Sequence, residues 1–230
     1  MSLNQIKEFL LDIFFPKICL NCQKEGEFLC LDCSALLDIL DLHQKYQTRN
    51  LADLYFALPY QNRLVKKLIQ KFKYEPFIKE LSQTLASLII THFQLSSKSK
   101  TDFSGSLLIP VPLEKKRLKW RGFNQAEEIG KELSSYLKIP LLGNVLIKIK
   151  GTQPQVRLVG KERKENLKGG FLVRAQEAIR NKKIILVDDV YTTGSTMEEC
   201  ARIVREAGAK EIIGIVVARA KPEEDYLQND

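Results

Sequence analysis

Ile184-Ile-Leu-Val-Asp-Asp-Val-Tyr-Thr-Thr-Gly-Ser-Thr196 is the stretch on which the reading of this chain turns. Ile184 to Val187 are apolar with no polar alternation, the pattern of a strand buried on both faces. Two adjacent carboxylates, Asp188 and Asp189, follow, and then a turn rich in hydroxyls and glycine. Beyond the turn, Met197, Cys200, Ala201 and Val204 recur at helical spacing, and Gly208 offers a helix stop. This order of parts is a device for holding a phosphate beside a sugar. N–H groups at the helix start, with the helix dipole behind them, accept the phosphate. The hydroxyls of Thr192, Thr193, Ser195 and Thr196 add donors, and Gly194 lets the backbone approach closely. Asp188 and Asp189 stand where they can accept hydrogen bonds from ribose hydroxyls. A buried strand whose aspartates merely cap the next helix would explain one acid. It would not explain the second acid together with the hydroxyls and the glycine.

Working outward, Leu107-Leu-Ile109 runs into Pro110-Val-Pro112 and reads as a second buried strand. It delivers a loop, residues 113–122, that carries Lys115, Lys116, Arg117, Lys119 and Arg121. A helix signal then returns through Ala126, Ile129, Gly130, Leu133 and Leu137. Leu54–Leu58 and Ile212–Ala218 are further strand candidates. Helices are expected through Leu64, Val65, Leu68, Ile69 and Phe72, ringed by Lys66, Lys67, Lys71 and Lys73, and over about 77–93. Strands alternating with helices predict a parallel α/β sheet, in which ligands gather at the carboxyl ends of strands. That rule brings the cationic loop and the acidic-hydroxyl loop to one edge. Among the cations, Arg117 and Arg121 are the better anion grips, because a guanidinium holds phosphate oxygens in a fork. Residues 148–171 are cationic and rich in Gln, Asn and Gly without clear periodicity. They read either as a lid over the site, with Gln155, Arg163 and Asn166 as its candidate contacts, or as a plain surface excursion. Residues 94–106 read as a surface loop and 221–230 as a polar tail.

The chain has 230 residues, 44% of them hydrophobic, enough for one good-sized domain and a small module. The expected boundary lies near residue 50, giving an N-terminal module over 1–50 and a main domain over 51–230. No apolar run approaches the length of a membrane span, and the N-terminus lacks the features of a secretion signal, so a cytoplasmic location is expected. The formal charge of +8 suits an anionic ligand or nucleic acid and does not separate the two. Cys19, Cys22, Cys30 and Cys33 form Cys-x2-Cys-x7-Cys-x2-Cys, two knuckles that together complete a tetrahedral thiolate site for Zn2+. Disulfides and an iron–sulfur cluster fit this spacing and setting less well. Four protein ligands would make that metal structural. Ile6, Phe9, Leu10, Ile13 and Phe14 share a face in a helix expected over 3–15, and Leu36, Leu37 and Leu40 suggest a short helix and linker within 34–50.

The 184–196 segment resembles the signature of the type I phosphoribosyltransferases, enzymes that use phosphoribosyl pyrophosphate (PRPP). The whole chain is similar to the ComF family, phosphoribosyltransferase-like proteins associated with competence. That likeness rests on the four-cysteine module ahead of the signature and on Arg121-Gly-Phe-Asn-Gln-Ala126 after a Pro-x-Pro turn. It rests also on Gln155, Leu158, Arg163, Asn166 and Phe171 in a Gln-x2-Leu-x4-Arg-x2-Asn-x4-Phe segment. Lys148 and Lys150 stand where that family more often has arginine. The resemblance implies an α/β type I phosphoribosyltransferase fold, its parallel sheet flanked by helices, with a small N-terminal zinc-binding module. The implied ligand is PRPP or ribose 5-phosphate. Thr192, Thr193, Gly194, Ser195 and Thr196 would hold the 5′-phosphate, and Asp188 and Asp189 the ribose. Lys115, Lys116, Arg117 and Arg121 would face the pyrophosphate with Mg2+. The implied activity is phosphoribosyl transfer to a nitrogen acceptor. The implied setting is DNA uptake, with a DNA-translocating helicase as partner and direct contact with single-stranded DNA as a further expectation. The alternative is a non-catalytic adaptor that senses PRPP or nucleotides.

Overall fold

Parallel pairing of apolar strands organises the larger part of the molecule. The computed structural model describes residues 16–96, 102–149 and 170–220. The helix expected at 3–15 and the lid candidates Gln155, Arg163 and Asn166 lie outside the described residues. The chain divides into two compact units, Met1–Asp38 and Ile39–Asp230.

In the larger unit, β1 (Asp53–Pro59), β2 (Leu107–Pro110), β5 (Lys183–Tyr191) and β6 (Glu211–Arg219) form a parallel sheet in the order β1-β6-β5-β2. A second pairing, β3 (Leu146–Lys148) with β4 (Phe171–Val173), is antiparallel. The helices of this unit are α2 (Arg63–Lys73), α3 (Leu81–Leu95), α4 (Lys115–Arg121), α5 (Gln125–Leu137), α6 (Gln176–Ile179) and α7 (Ser195–Glu206). They are numbered after the short α1 (Leu31–Ser34) of the smaller unit.

Alternation along β5 decides the layers, since successive side chains point to opposite faces. Ile184 and Leu186 join Met197, Cys200, Ala201 and Val204 of α7 in one apolar cluster. On the sheet's other side α3 and α5 pack on each other, α3 against β1 and β6, and α5 against β2 and β5. Ile184 to Val187 are all fully buried, as a doubly covered strand requires. Each such side chain contributes about 1.5–3 kcal/mol relative to an exposed position.

Three expectations change. Residues 113–122 are not a loop: Lys115–Arg121 is helical, between Pro112 and a left-handed Gly122 (φ 83°) whose N–H caps Leu118. Lys, Arg, Leu and Trp carry no helix-breaking geometry, so the flanking Pro and Gly set the bounds instead. Asp188 and Asp189 do not follow the strand but lie within it, because pairing with β6 continues to Tyr191 opposite Arg219. The short helix expected within 34–50 forms instead at Leu31–Ser34.

The boundary between units falls after Asp38, and polar anchors explain why residues 39–50 group with the larger one. His43 Nε2 pairs with Asp53 Oδ2 at 2.8 Å, and the Tyr46 N–H donates to Asp53 Oδ1 at 2.9 Å. Thr48 donates to Glu198, and His92 Nδ1 lies 2.6 Å from the Leu40 carbonyl.

Candidate functional site

The carboxyl edge of the sheet carries a cleft of about 480 Å³. Its floor is the end of β5 and the turn into α7: Asp188 through Met197 all line it. Gly194 is the N-cap of α7, in the left-handed region (φ 74°), and as a glycine it offers no side-chain cap. The start of this 12-residue helix, Ser195 to Met197, lines the cleft beside Thr192 and Thr193. Thr193 Oγ1 and Ser195 Oγ share a hydrogen bond of 2.9 Å. A Cβ at position 194 would collide with the Tyr191 hydroxyl, so only glycine fits both the angle and the space.

The two acids divide between the faces of the sheet. Asp189 is 2% exposed, and Lys73 Nζ lies 2.7 Å from its Oδ1. Its Oδ2 has no partner among the described residues. Asp188 is half-buried and accepts from the Asp189 N–H at 2.9 Å. Burial, and then the charge of Asp189, push the Asp188 carboxyl up to about 7, while Lys73 and Arg121 pull against them.

The opposite wall is cationic. Arg117 and Arg121, four residues apart on one face of α4, line the cleft with Glu114 and Trp120. Arg121 is buried and donates to Gln125 of α5. Burial works against the charge of its guanidinium, and Asp189 works to keep it. Lys115 and Lys116 are exposed and lie outside the lining. Lys148 of β3 is a lining residue, its ammonium 5.3 Å from the centre of the Phe171 ring.

Sequence reasoning missed Lys73, which it placed among the cations ringing α2. The signal was present: Val65, Ile69 and Lys73 are spaced i, i+4, i+8, so Lys73 continues the buried face. Tyr60, Tyr74 and Trp120 also line the cleft, and Tyr74 and Trp120 are more than half exposed at its rim. A lone aromatic beside a helix end carries no motif by which to find it.

In the smaller unit, Cys19, Cys22, Cys30 and Cys33 place their four sulfurs within 4.8 Å of one another and could hold a metal ion. The Cys19 N–H donates to the Lys24 carbonyl and the Gln23 N–H to the Cys19 carbonyl, folding the first knuckle. Cys30 precedes α1 and Cys33 lies on it. Burial opposes a Cys19 thiolate, but the backbone at Cys30, Cys22 and Asn21 offsets it and lowers the pKa to about 6.

Comparison with known proteins agrees with this architecture. The phosphoribosyl transferase domain family matches residues 124–229. Competence protein F of Haemophilus influenzae is 36% identical over 154 residues, covering 66% of this chain and 67% of that protein. The DNA utilization protein YhgH of Salmonella typhimurium is 30% identical over 130 residues, 56% of each chain. Competence protein ComFC of Streptococcus pneumoniae is 26% identical over 196 residues, 84% of this chain and 77% of that protein. Among the described residues no helix is long and apolar enough to cross a membrane. With a parallel sheet, a Thr-Thr-Gly-Ser-Thr turn at its carboxyl edge and a 36% identical relative covered over two-thirds of its length, the chain belongs to the ComF family, on a type I phosphoribosyltransferase fold.

Proposed function

We propose that the cleft binds PRPP with Mg2+ and supports transfer of its phosphoribosyl group to a nitrogen acceptor, in the service of DNA uptake or utilization. One observation carries this reading: a helix start, two acids and a guanidinium wall line one cleft. The 5′-phosphate would sit on Thr192, Thr193, Gly194, Ser195 and Thr196. Asp188 and Asp189 would accept from the ribose hydroxyls and stabilise positive charge growing on the ring as the C1–oxygen bond breaks. Arg117 and Arg121 would grip the departing pyrophosphate, with Lys115 and Lys116 adding field rather than contact. Mg2+ supplies charge neutralisation on the diphosphate oxygens when bound there. Positioning and electrostatics carry such a reaction, with no covalent intermediate on the protein. Gln155, Arg163 and Asn166 are the proposed contacts on the acceptor side.

The cysteine cluster is assigned to structural Zn2+. Sulfurs about 2.3 Å from a tetrahedral zinc lie about 3.8 Å apart, which agrees with a cluster confined within 4.8 Å. Thiolate ligands favour a reducing compartment, which supports a cytoplasmic location. The names of the relatives, competence and DNA utilization proteins, support the biological setting.

Isothermal titration with PRPP and Mg2+ tests the reading. The native chain gives binding heat, and Asp189→Asn weakens it by about tenfold or more, as loss of a charged hydrogen-bond acceptor requires. No heat from the native chain sinks it. Release of pyrophosphate on addition of single nucleobases or amines would then identify the acceptor.

A second reading, a non-catalytic adaptor that senses PRPP or nucleotides and contacts single-stranded DNA and a helicase, is favoured by the cations of α2 outside the cleft lining. These are Arg63, Lys66, Lys67 and Lys71. It expects salt-sensitive binding of single-stranded DNA that weakens when these cations are neutralised. A gel shift without retardation at low salt counts against it.

A further inference from the structure

Lys73 is a cation to which the phosphate, ribose and pyrophosphate positions give no task. It comes from α2, which carries none of the cleft's motifs, and its ammonium is 2.7 Å from Asp189 Oδ1. Its position is built rather than incidental. Val65 and Ile69, eight and four residues earlier on the same face, are fully buried, so the helix carries the side chain inward. Asp189 is nearly inaccessible, with one oxygen neutralised by Lys73 and Oδ2 unpartnered among the described residues. A carboxyl so buried gains most from a charged partner at hydrogen-bond distance.

The other charges around it do less. Arg121 of α4 feels Asp189 but spends a guanidinium N–H on Gln125. Asp188 adds negative charge from the same strand, and Tyr60, at the cleft margin after β1, faces Lys73. Arg117 lies beyond Arg121, and Lys148 approaches Asp188 from β3. Among the described residues, Lys73 alone forms an ion pair with Asp189.

We propose that Lys73 is a positioning residue for the sugar-binding acids, a counter-ion from α2 that fixes Asp189 through Oδ1 and leaves its buried Oδ2 unpartnered, as an acceptor for a ribose hydroxyl. This rests on the reading of the cleft as a PRPP site. Lys73 acts through Asp189. With it, the two acids and their lysine carry at most one negative charge; without it, the adjacent carboxylates have lost their nearest cation and Asp188 takes up a proton more readily. Asp188, already raised to about 7 with Lys73 in place, then rises further. A protonated acid must donate where the sugar also donates, so the cost falls on sugar binding. It is worst at low pH and lifted at high pH. A lysine that gripped the diphosphate directly would leave a different mark, a loss of affinity equal at every pH.

The experiment is titration of the full chain with PRPP and Mg2+ from about pH 6 to about pH 9, for the native protein, Lys73→Met and Lys73→Arg. The pH midpoint of binding moves up by about one unit or more in Lys73→Met. Affinity is then about tenfold weaker near pH 6.5, since one unit is tenfold in the ionised fraction, and within about threefold of native near pH 8.5. Lys73→Arg stays close to native. A pH-independent loss, or an unmoved midpoint, overturns the proposal. A second readout needs no ligand and stands if PRPP fails to bind: carbon NMR of the aspartate carboxyls in the free protein. The carboxyl midpoint of the acidic pair rises in Lys73→Met, or in Lys73→Gln should the Met variant fold poorly. If it does not rise, Lys73 is not the counter-ion. Absence of PRPP binding by the native chain overturns instead the reading of the cleft.

Discussion

Asp188 stores a cost that folding alone would not select. Burial and the neighbouring Asp189 hold its carboxyl up to about 7, whereas an aspartate in an unfolded chain ionises near about 4. Between those values the folded chain keeps a proton that the unfolded chain releases. Stability therefore falls as pH rises through this window, and the penalty is fully present above about pH 7. Asp188→Asn removes the penalty and keeps an oxygen to accept from the Asp189 N–H. The variant is expected to melt about 2–4 °C above native near pH 8, the shift for about 1 kcal/mol in a domain of this size after solvent screening. The gain shrinks as pH falls through about 7 and vanishes near pH 4. Thermal unfolding at these two pH values checks it; a variant less stable than native near pH 8 contradicts it. PRPP affinity should fall in the same variant, because a stability gain at a ligand-binding acid comes at the expense of the ligand.

At the scale of elements, α4 decides which cations matter. As a loop, residues 113–122 could bring any of their cations to the ligand. As a helix they cannot: Arg117 and Arg121 share the cleft face, and Lys115 and Lys116 are turned off it. Arg117→Ala is expected to weaken inorganic pyrophosphate binding by about tenfold or more, as loss of a charge-assisted bond implies. Lys115→Ala should stay within about twofold, because a screened surface charge contributes little. Calorimetry with pyrophosphate and Mg2+ separates them, and equal losses would remove the helix from the explanation. This element also shows where the sequence was readable. An unbroken apolar run before Asp188 admits one solution, a strand covered on both faces, and Gly194 followed by an apolar period fixes the helix behind it. The Lys-Arg run of α4 admits two, since good helix formers flanked by Pro and Gly describe a short helix and a cationic loop alike. Lys73 was hidden for another reason. A cation on an apolar face announces itself only once a carboxylate is known to wait there, and Asp189 lies more than a hundred residues along the chain.

At the scale of the whole molecule, the cysteines and the cleft draw on different units. All four sulfurs belong to Met1–Asp38, and every residue lining the cleft belongs to Ile39–Asp230. Within the described part of the smaller unit, the buried apolar residues are Leu29, Leu37 and three of the cysteines themselves. On the proposed reading, metal ligation would add folding free energy to these few described apolar residues. The larger unit has its own sheet and two helical layers and needs no such staple. Removal of metal with a thiol-compatible zinc chelator, followed by dialysis into buffer with Mg2+, should therefore act on one unit alone. Trypsin then cuts at Lys17 and Lys24, which the metal-loaded protein resists. PRPP binding heat stays within about twofold of native, because no cleft residue depends on a sulfur ligand. Loss of that heat on chelation would mean that the larger unit cannot hold its cleft without the smaller one. Retained resistance to trypsin would mean that the four cysteines are not a folding site for metal.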